Sequence, residues 1–320
     1  MSNANLLEVL RGKGVVDTES PDALTLELLT GGFWNRVYRL RSKENLSLDW
    51  VVKQFVQVPV NPMFPILPQA EHAALQFLQD HECAPNPIAF IADSPIGSLL
   101  VYEYVPGTSW NGDLDAAATL IARVQDIAIN TFAKNTFRKL PSDALALQTH
   151  AEGMLKRHPG ALSDSVRELR PAVLARKDYP KRRDVLVHTD CGPGNMVSSP
   201  NGLRLIDWQC PGIGDGIQDV VTFLSPAMQT LYGYPVLTAE QEQRFLGAYV
   251  SALADNASDA QETLAWFHSI RSSHHYRFAA YCAMRAQDTA TSDAKTSRLY
   301  SLALQAEIQI LHSLRLMGRA

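Results

Sequence analysis

Leu186-Val-His-Thr-Asp-Cys-Gly-Pro-Gly-Asn195, followed by Leu203-Arg-Leu-Ile-Asp-Trp208, decides how this chain is read. The apolar run Val185–Val187 ends in His188 and Asp190, and Pro193 and Gly194 bend the chain before Asn195. A second apolar run, Leu203–Ile206, ends in Asp207. Ser199-Pro-Asn-Gly202 carries turn chemistry, so Val185 to Gly216 reads as a β-hairpin inserted among helices. Such a hairpin brings Asp190, Asn195 and Asp207 to its open end. Asn195 and Asp207 offer hard oxygen atoms suited to Mg²⁺, which leaves Asp190 to accept a proton.

An Asp with Asn five residues later and a further strand-borne Asp is the set that protein kinases use for phosphoryl transfer. The residues that would complete such a site lie upstream. Leu24–Thr30, Arg36–Arg41, Trp50–Val56, Ile88–Ala92 and Leu99–Val105 are short β-rich runs bounded by turn signals. The first three follow one another closely, which predicts an antiparallel meander. Gly31-Gly-Phe-Trp-Asn35 falls between the first two runs, where a glycine turn could cover phosphates; Gly31, Gly32 and Asn35 are its candidate residues. Lys53 stands in an otherwise apolar strand and needs a partner, and Glu71 lies near the start of a predicted helix, 69–79.

After residue 106 the periodicity is helical, with helices predicted at 113–130, 142–157, 163–176, 217–229, 239–254, 258–288 and 293–316. The expected fold class is therefore α+β. A small antiparallel β-sheet lobe with one helix, 1–105, precedes a larger mainly helical lobe, 106–320, that contains the 185–216 hairpin. Two lobes joined near Glu103–Gly107 would leave a ligand cleft.

Composition narrows the partners. The 320 residues carry 29 Lys plus Arg against 33 Asp plus Glu, a formal net charge of −4. That balance does not suit a nucleic-acid or anionic-membrane surface. No run reaches the ~18 apolar residues of a membrane span, and no signal-peptide pattern is visible near Met1. Cys83, Cys191, Cys210 and Cys282 form no C-x-x-C pair, which fits a reducing cytoplasm.

Together these motifs resemble the aminoglycoside phosphotransferase/choline kinase family, a branch of the protein-kinase-like fold, from about Leu24 to Leu224. The resemblance rests on Gly31–Tyr38, Val51-Val-Lys53, Glu71, Tyr102-Glu-Tyr-Val-Pro-Gly107, His188-Thr-Asp190 with Asn195, Ile206-Asp-Trp208 and Gly214-Asp-Gly-Ile-Gln-Asp219. It implies a bilobal enzyme that moves the γ-phosphate of ATP or GTP to a hydroxyl of a small-molecule acceptor. Asp190 would be the general base, and Asn195 and Asp207 would hold Mg²⁺. Lys53, held by Glu71, would contact the nucleotide phosphates, and backbone groups at Glu103, Tyr104 and Val105 would read the purine. His188 would support the loop, and Asp219 the junction of loop and helix. Two other classes remain open: a catalytically silent nucleotide-binding pseudokinase, and a metal-dependent hydrolase using His188, Asp190, Asp207 and Asp215.

Acceptor identity is open as well. Gln209 stands where many relatives carry an acidic residue. The predicted helix around Trp266–Tyr281 is rich in aromatic and basic groups, with His268, Ser272, His275 and Ala279 on one face. Trp266, Ile270, His274, Arg277 and Tyr281 lie on another. It offers no acidic pocket for a polycation, so an amino alcohol, sugar or similar metabolite is favoured over an aminoglycoside.

Overall fold

A computed structural model describes residues 3–17, 23–29, 35–56, 61–171, 183–253 and 257–317. It divides into two compact units: Met1–Thr108 with Val197–Pro211, and Ser109–Met196 with Gly212–Ala320. No described helix is long and apolar enough to cross a membrane.

In the first unit, α1 (Asn3–Gly12) precedes β1 (Leu24–Leu28), β2 (Arg36–Ser42) and β3 (Asp49–Phe55). Helix α2 (Pro68–Leu78) then leads to β4 (Pro87–Ile91), β5 (Ser98–Glu103) and the short β6 (Thr108–Ser109). The first five strands form one antiparallel sheet in the order β1-β2-β3-β5-β4. Strand alternation sends Val52 to one face and Val51, Lys53 and Phe55 to the other. On the Val52 face, Leu6 and Leu10 of α1 join Leu40, Leu99 and Val101 in a buried apolar cluster. Helix α1 is absent from the sequence reading, because a ten-residue helix is too short to hold on its own propensity and is fixed by the sheet that buries Leu6 and Leu10.

In the second unit, α3 (Leu114–Asp126) is capped by Asp113, whose side chain accepts from the amides of Asp115 and Ala116. The chain continues through α4 (Thr131–Thr136), β7 (Arg138–Lys139), α5 (Ala144–Leu155) and α6 (Ala161–Arg167). The predicted helix 163–176 lies partly outside the described residues. Next come β8 (Asp184–Val187) and a 3-10 turn over Pro193–Asn195; β9 (Met196–Ser199) and β10 (Gly202–Leu205) then return the chain to the first unit, and β11 (Gly212–Asp215) resumes the second.

Here the strand pairing differs from the sequence expectation. The turn at Ser199–Gly202 is present, but it joins β10 to β9, not to Val185–Val187. Strand β8 pairs instead with β11, with Gly212 opposite Val187, and β11 runs parallel to β7, with Gly212 opposite Arg138. Apolar runs of four residues do not specify a partner, and β11, being Gly-Ile-Gly-Asp, has too little apolar character to be read as a strand.

The predicted helix 217–229 is two, α7 (Ile217–Leu224) and α8 (Pro226–Leu231). Pro226 cannot donate to a continuing helix, and Ser225 caps α8 by accepting from the Met228 amide. Helices α9 (Ala239–Leu253), α10 (Ala257–Asp288) and α11 (Ala294–Met317) complete the unit.

Asp219, in the first turn of α7, fixes the end of β8. One carboxylate oxygen accepts from the His188 amide at 2.8 Å and the other from the Thr189 amide at 2.9 Å. Thr189 has φ +70°, a left-handed conformation that a β-branched residue adopts only when its surroundings impose it. Burial pushes the Asp219 carboxyl up to about 7, against the two amide bonds that pull it down. The folded value thus exceeds the unfolded value near ~4. The contribution of Asp219 to stability is fullest at acid pH and falls as pH rises from about 4 to about 7.

Two outcomes follow from this packing. Asp219→Ala orphans two buried amides at about 1–3 kcal/mol each, so Tm should fall by roughly 5–15 °C, with a larger deficit at pH 5 than at pH 8 in scanning calorimetry. All four cysteines are buried, and burial, followed by the charges of Asp219 and Asp190, raises the Cys191 thiol well above its ordinary value. A thiol reagent should label the native protein slowly and release four equivalents only on unfolding.

Candidate functional site

The first unit assembles a buried ion cluster. Lys53 on β3 points from the sheet to Glu71 on α2, with Nζ 2.8 Å from each carboxylate oxygen. The same Nζ lies 2.5 Å from Asp207 Oδ1. Lys53 and Glu71 are 2% and 1% exposed, whereas the Asp207 side chain is 36% exposed. Burial alone would strip the proton from Lys53, but the charges of Asp207 and Glu71 override it and raise the lysine pKa. Burial raises Glu71, with Lys53 opposing. One ammonium therefore serves two carboxylates. Asp207 is the partly exposed member, and Lys53 takes its Oδ1.

Asp207 has φ +62°, the second non-glycine residue near the site in a left-handed conformation. The turn is anchored on both sides of it. The Trp208 indole is fully buried and donates to the Leu205 carbonyl at 2.9 Å, while the Gln209 carbonyl accepts from the Leu67 amide at 2.9 Å, just before α2. Asn35 donates to Gln209 Oε1 at 3.4 Å. Gly31 and Gly32 lie outside the described residues. At the linker, the Glu103 amide donates to Asn86 and the Tyr104 amide to Asp49. Of the three purine-reading positions expected there, Val105 is the one whose amide is not spent on another backbone group among the described residues.

The second unit holds Asp190 and Asn195, 8% and 5% exposed. Asn195 Nδ2 donates to the Asp190 carbonyl at 2.8 Å and to the Tyr232 hydroxyl at 2.8 Å. With its amide hydrogens engaged, Asn195 presents Oδ1 as a fixed hard donor. Asn195 in the second unit and Asp207 in the first each carry the kind of hard oxygen atom that Mg²⁺ takes.

Tyr232 escaped the sequence reading. Its hydroxyl donates to Asp190 Oδ1 at 2.9 Å while accepting from Asn195. Its ring lies flat on the loop, so that a Cβ at Gly192 or Gly194 would stand 2.3 or 2.0 Å from a ring carbon. These glycines are the signal: side chains at either position would expel the ring. No motif spacing leads from Asp190 to a residue 42 positions away.

Other expected residues are placed differently. Asp215 accepts from the Ile217 amide at 3.0 Å and from the Trp266 indole. Among the described residues, no three His, Cys, Asp or Glu side chains form a metal-holding group. On α10, His275 is buried on Glu307 at 2.8 Å and His268 is exposed, whereas His274, Arg277 and Tyr281 are buried.

Comparison with solved structures gives close matches of fold. An ethanolamine kinase of Plasmodium vivax superposes with a TM-score of 0.70 at 13% identity, covering 98% of this chain and 91% of that one. A choline kinase of Cryptosporidium parvum gives 0.65 at 12%, covering 99% and 97%. A spectinomycin phosphotransferase in complex with ADP and spectinomycin gives 0.60 at 13%, covering 98% and 99%. At such identities they show the fold alone, which is protein-kinase-like. No curated protein matches the chain. The family model described as "Phosphotransferase enzyme family" matches residues 25–257, well over half of the sequence, and the chain belongs to that family.

Proposed function

We propose that the protein transfers the γ-phosphoryl group of ATP or GTP to a hydroxyl of a small-molecule acceptor. The observation that carries this is the Lys53 ammonium shared by Glu71 and Asp207, a cation held in the middle of an apolar sheet with a partly exposed carboxylate on it. Phosphoryl transfer asks a protein mainly for positioning and for fixed charge. Lys53 and Asp207 meet that demand in the first unit, and Asp190 and Asn195 in the second.

In this reading Asp190 accepts the proton of the acceptor hydroxyl, and Tyr232 sets the orientation of its carboxylate. Lys53 neutralises phosphate oxygens, held at its post by Glu71. Asn195 and Asp207 hold Mg²⁺, which supplies charge neutralisation on the nucleotide phosphates when bound. The Val105 amide is the free donor for the purine edge. His188 and Asp219 act through the backbone, fixing where Asp190 sits.

The acceptor class rests on electrostatics. Choline, ethanolamine and spectinomycin kinases share this fold, so fold does not choose among them. Gln209 is neutral beside Asp207, and the Trp266–Tyr281 stretch of α10 carries arginine and histidine and no acid. A small hydroxylated metabolite fits this chain better than a polycationic antibiotic.

The test is acceptor-dependent ADP formation from Mg-ATP with choline, ethanolamine, thiamine, homoserine, hexosamines and aminoglycosides. Asp190→Asn should lower kcat by about 10²–10⁴ while nucleotide still raises Tm. Lys53→Met should abolish the nucleotide-dependent Tm rise. Silence with every acceptor, while nucleotide still binds, would sink the transferase reading in favour of a nucleotide-binding module. Tyr232→Phe removes a donor to Asp190, so kcat should fall by about 3–10-fold and the acid limb of the kcat/KM profile should move up by as much as about one pH unit. A Tyr232 that only packs would leave that limb in place.

A further inference from the structure

Arg277 is a buried cation with no carboxylate paired to it among the described residues. It lies on α10, 3% exposed, and its Nε has no hydrogen-bond partner. The acids around α10 are committed elsewhere: Glu152 takes the Tyr276 hydroxyl at 2.6 Å, Glu242 takes Arg271 at 2.6 Å, Glu307 takes His275, and Asp215 takes Trp266. One turn before Arg277, His274 is 2% exposed, and its Nδ1 also lacks a partner.

A second guanidinium, Arg138, adds its charge nearby. Burial, and then the charge of Arg138, lower the Arg277 pKa to about 9. Burial, followed by the charges of Arg277 and His275, lowers His274 well below its ordinary value. An ionised group held in an apolar interior without a partner costs several kcal/mol, so a fold that keeps one there supplies the opposite charge from outside.

The backbone places this cluster beside the catalytic loop. Arg138 on β7 stands opposite Gly212, and Gly212 opposite Val187, the residue before His188-Thr189-Asp190. Two strand spacings separate Arg138 from Val187, about 10 Å.

We propose that Arg277, with Arg138 and neutral His274 beside it, forms a binding site for a compact oxyanion, a carboxylate or a phosphate. Its source is the acceptor itself or a free ion, and the guanidinium fork suits both. The anion site stands independently of the phosphotransfer reading; only its assignment to the acceptor rests on it.

The test begins with thermal unfolding of the full chain in phosphate or acetate against chloride at equal ionic strength. Phosphate or acetate should raise Tm by about 2–5 °C. Arg277→Met should match or exceed the wild-type Tm in chloride and lose the anion response. Arg277→Lys, which keeps a cation, should retain part of it. A wild type indifferent to both anions overturns the proposal, as does an Arg277→Met protein that keeps the full response or melts several degrees lower in every buffer.

The second arm assigns the source, using ADP formation with serine against ethanolamine and homoserine against 3-aminopropan-1-ol. An acceptor-borne carboxylate predicts a kcat/KM ratio above tenfold for the carboxylated member, collapsing in Arg277→Met. An unchanged ratio with the Tm response intact assigns the site to a free ion. If no acceptor is turned over, the phosphotransfer reading fails while the melting data still decide the anion site.

Discussion

A single ammonium, Lys53 Nζ, ties the first unit together. It is the meeting point of a central strand, the helix that covers that strand and the turn after β10, through Glu71 and Asp207. Removing a partner from such a cluster leaves a buried charge unmatched, at about 3–5 kcal/mol. The arrangement carries more negative charge than positive, with two carboxylates on one cation. The excess is placed on Asp207, the partly exposed member, so the cluster is structurally complete and yet electrostatically ready for a further cation.

The second unit reaches a similar end by backbone means. Asp219 holds the amides of His188 and Thr189, Thr189 turns left-handed, and the chain delivers Asp190 to a loop whose glycines admit the Tyr232 ring. Each of these residues restricts one degree of freedom of the Asp190 carboxylate. In the proposed role of Asp190 as general base, a lone pair that is already aimed is what the strain at Thr189 and the bare backbone at Gly192 and Gly194 would supply.

Much of this was legible in the sequence because the chemistry sits in short-range patterns. Asp190 and Asn195 are five residues apart, and a lysine within an apolar strand announces that it has a partner. Glu71 followed from helix periodicity. What was not legible depends on long-range pairing. The strand partner of Val185–Val187 is Gly212–Asp215, whose glycines conceal it, and the true partner of Gly202–Leu205 is the run that follows Asn195. Tyr232 belongs to the site through tertiary contact alone. Helix α1 is stabilised by the sheet it covers rather than by its own propensity.

Charge placement finally separates recognition from catalysis in this chain. The negative groups, Glu71, Asp207, Asp190 and Asp219, are each bonded to a donor that fixes their geometry. Among the described residues of the second unit, Arg277 is a buried cation that no carboxylate pairs with, and Gln209 in the first unit is a neutral amide. Where the proposed anion site serves the acceptor, a polycationic acceptor would meet a buried guanidinium, and desolvating both without an anion would cost more than its hydroxyl contacts return. An acceptor bearing a carboxylate or phosphate removes that penalty, because one ion pair then satisfies the protein and orients the ligand at once. The imbalance that makes Arg277 costly in isolation is what would make it selective.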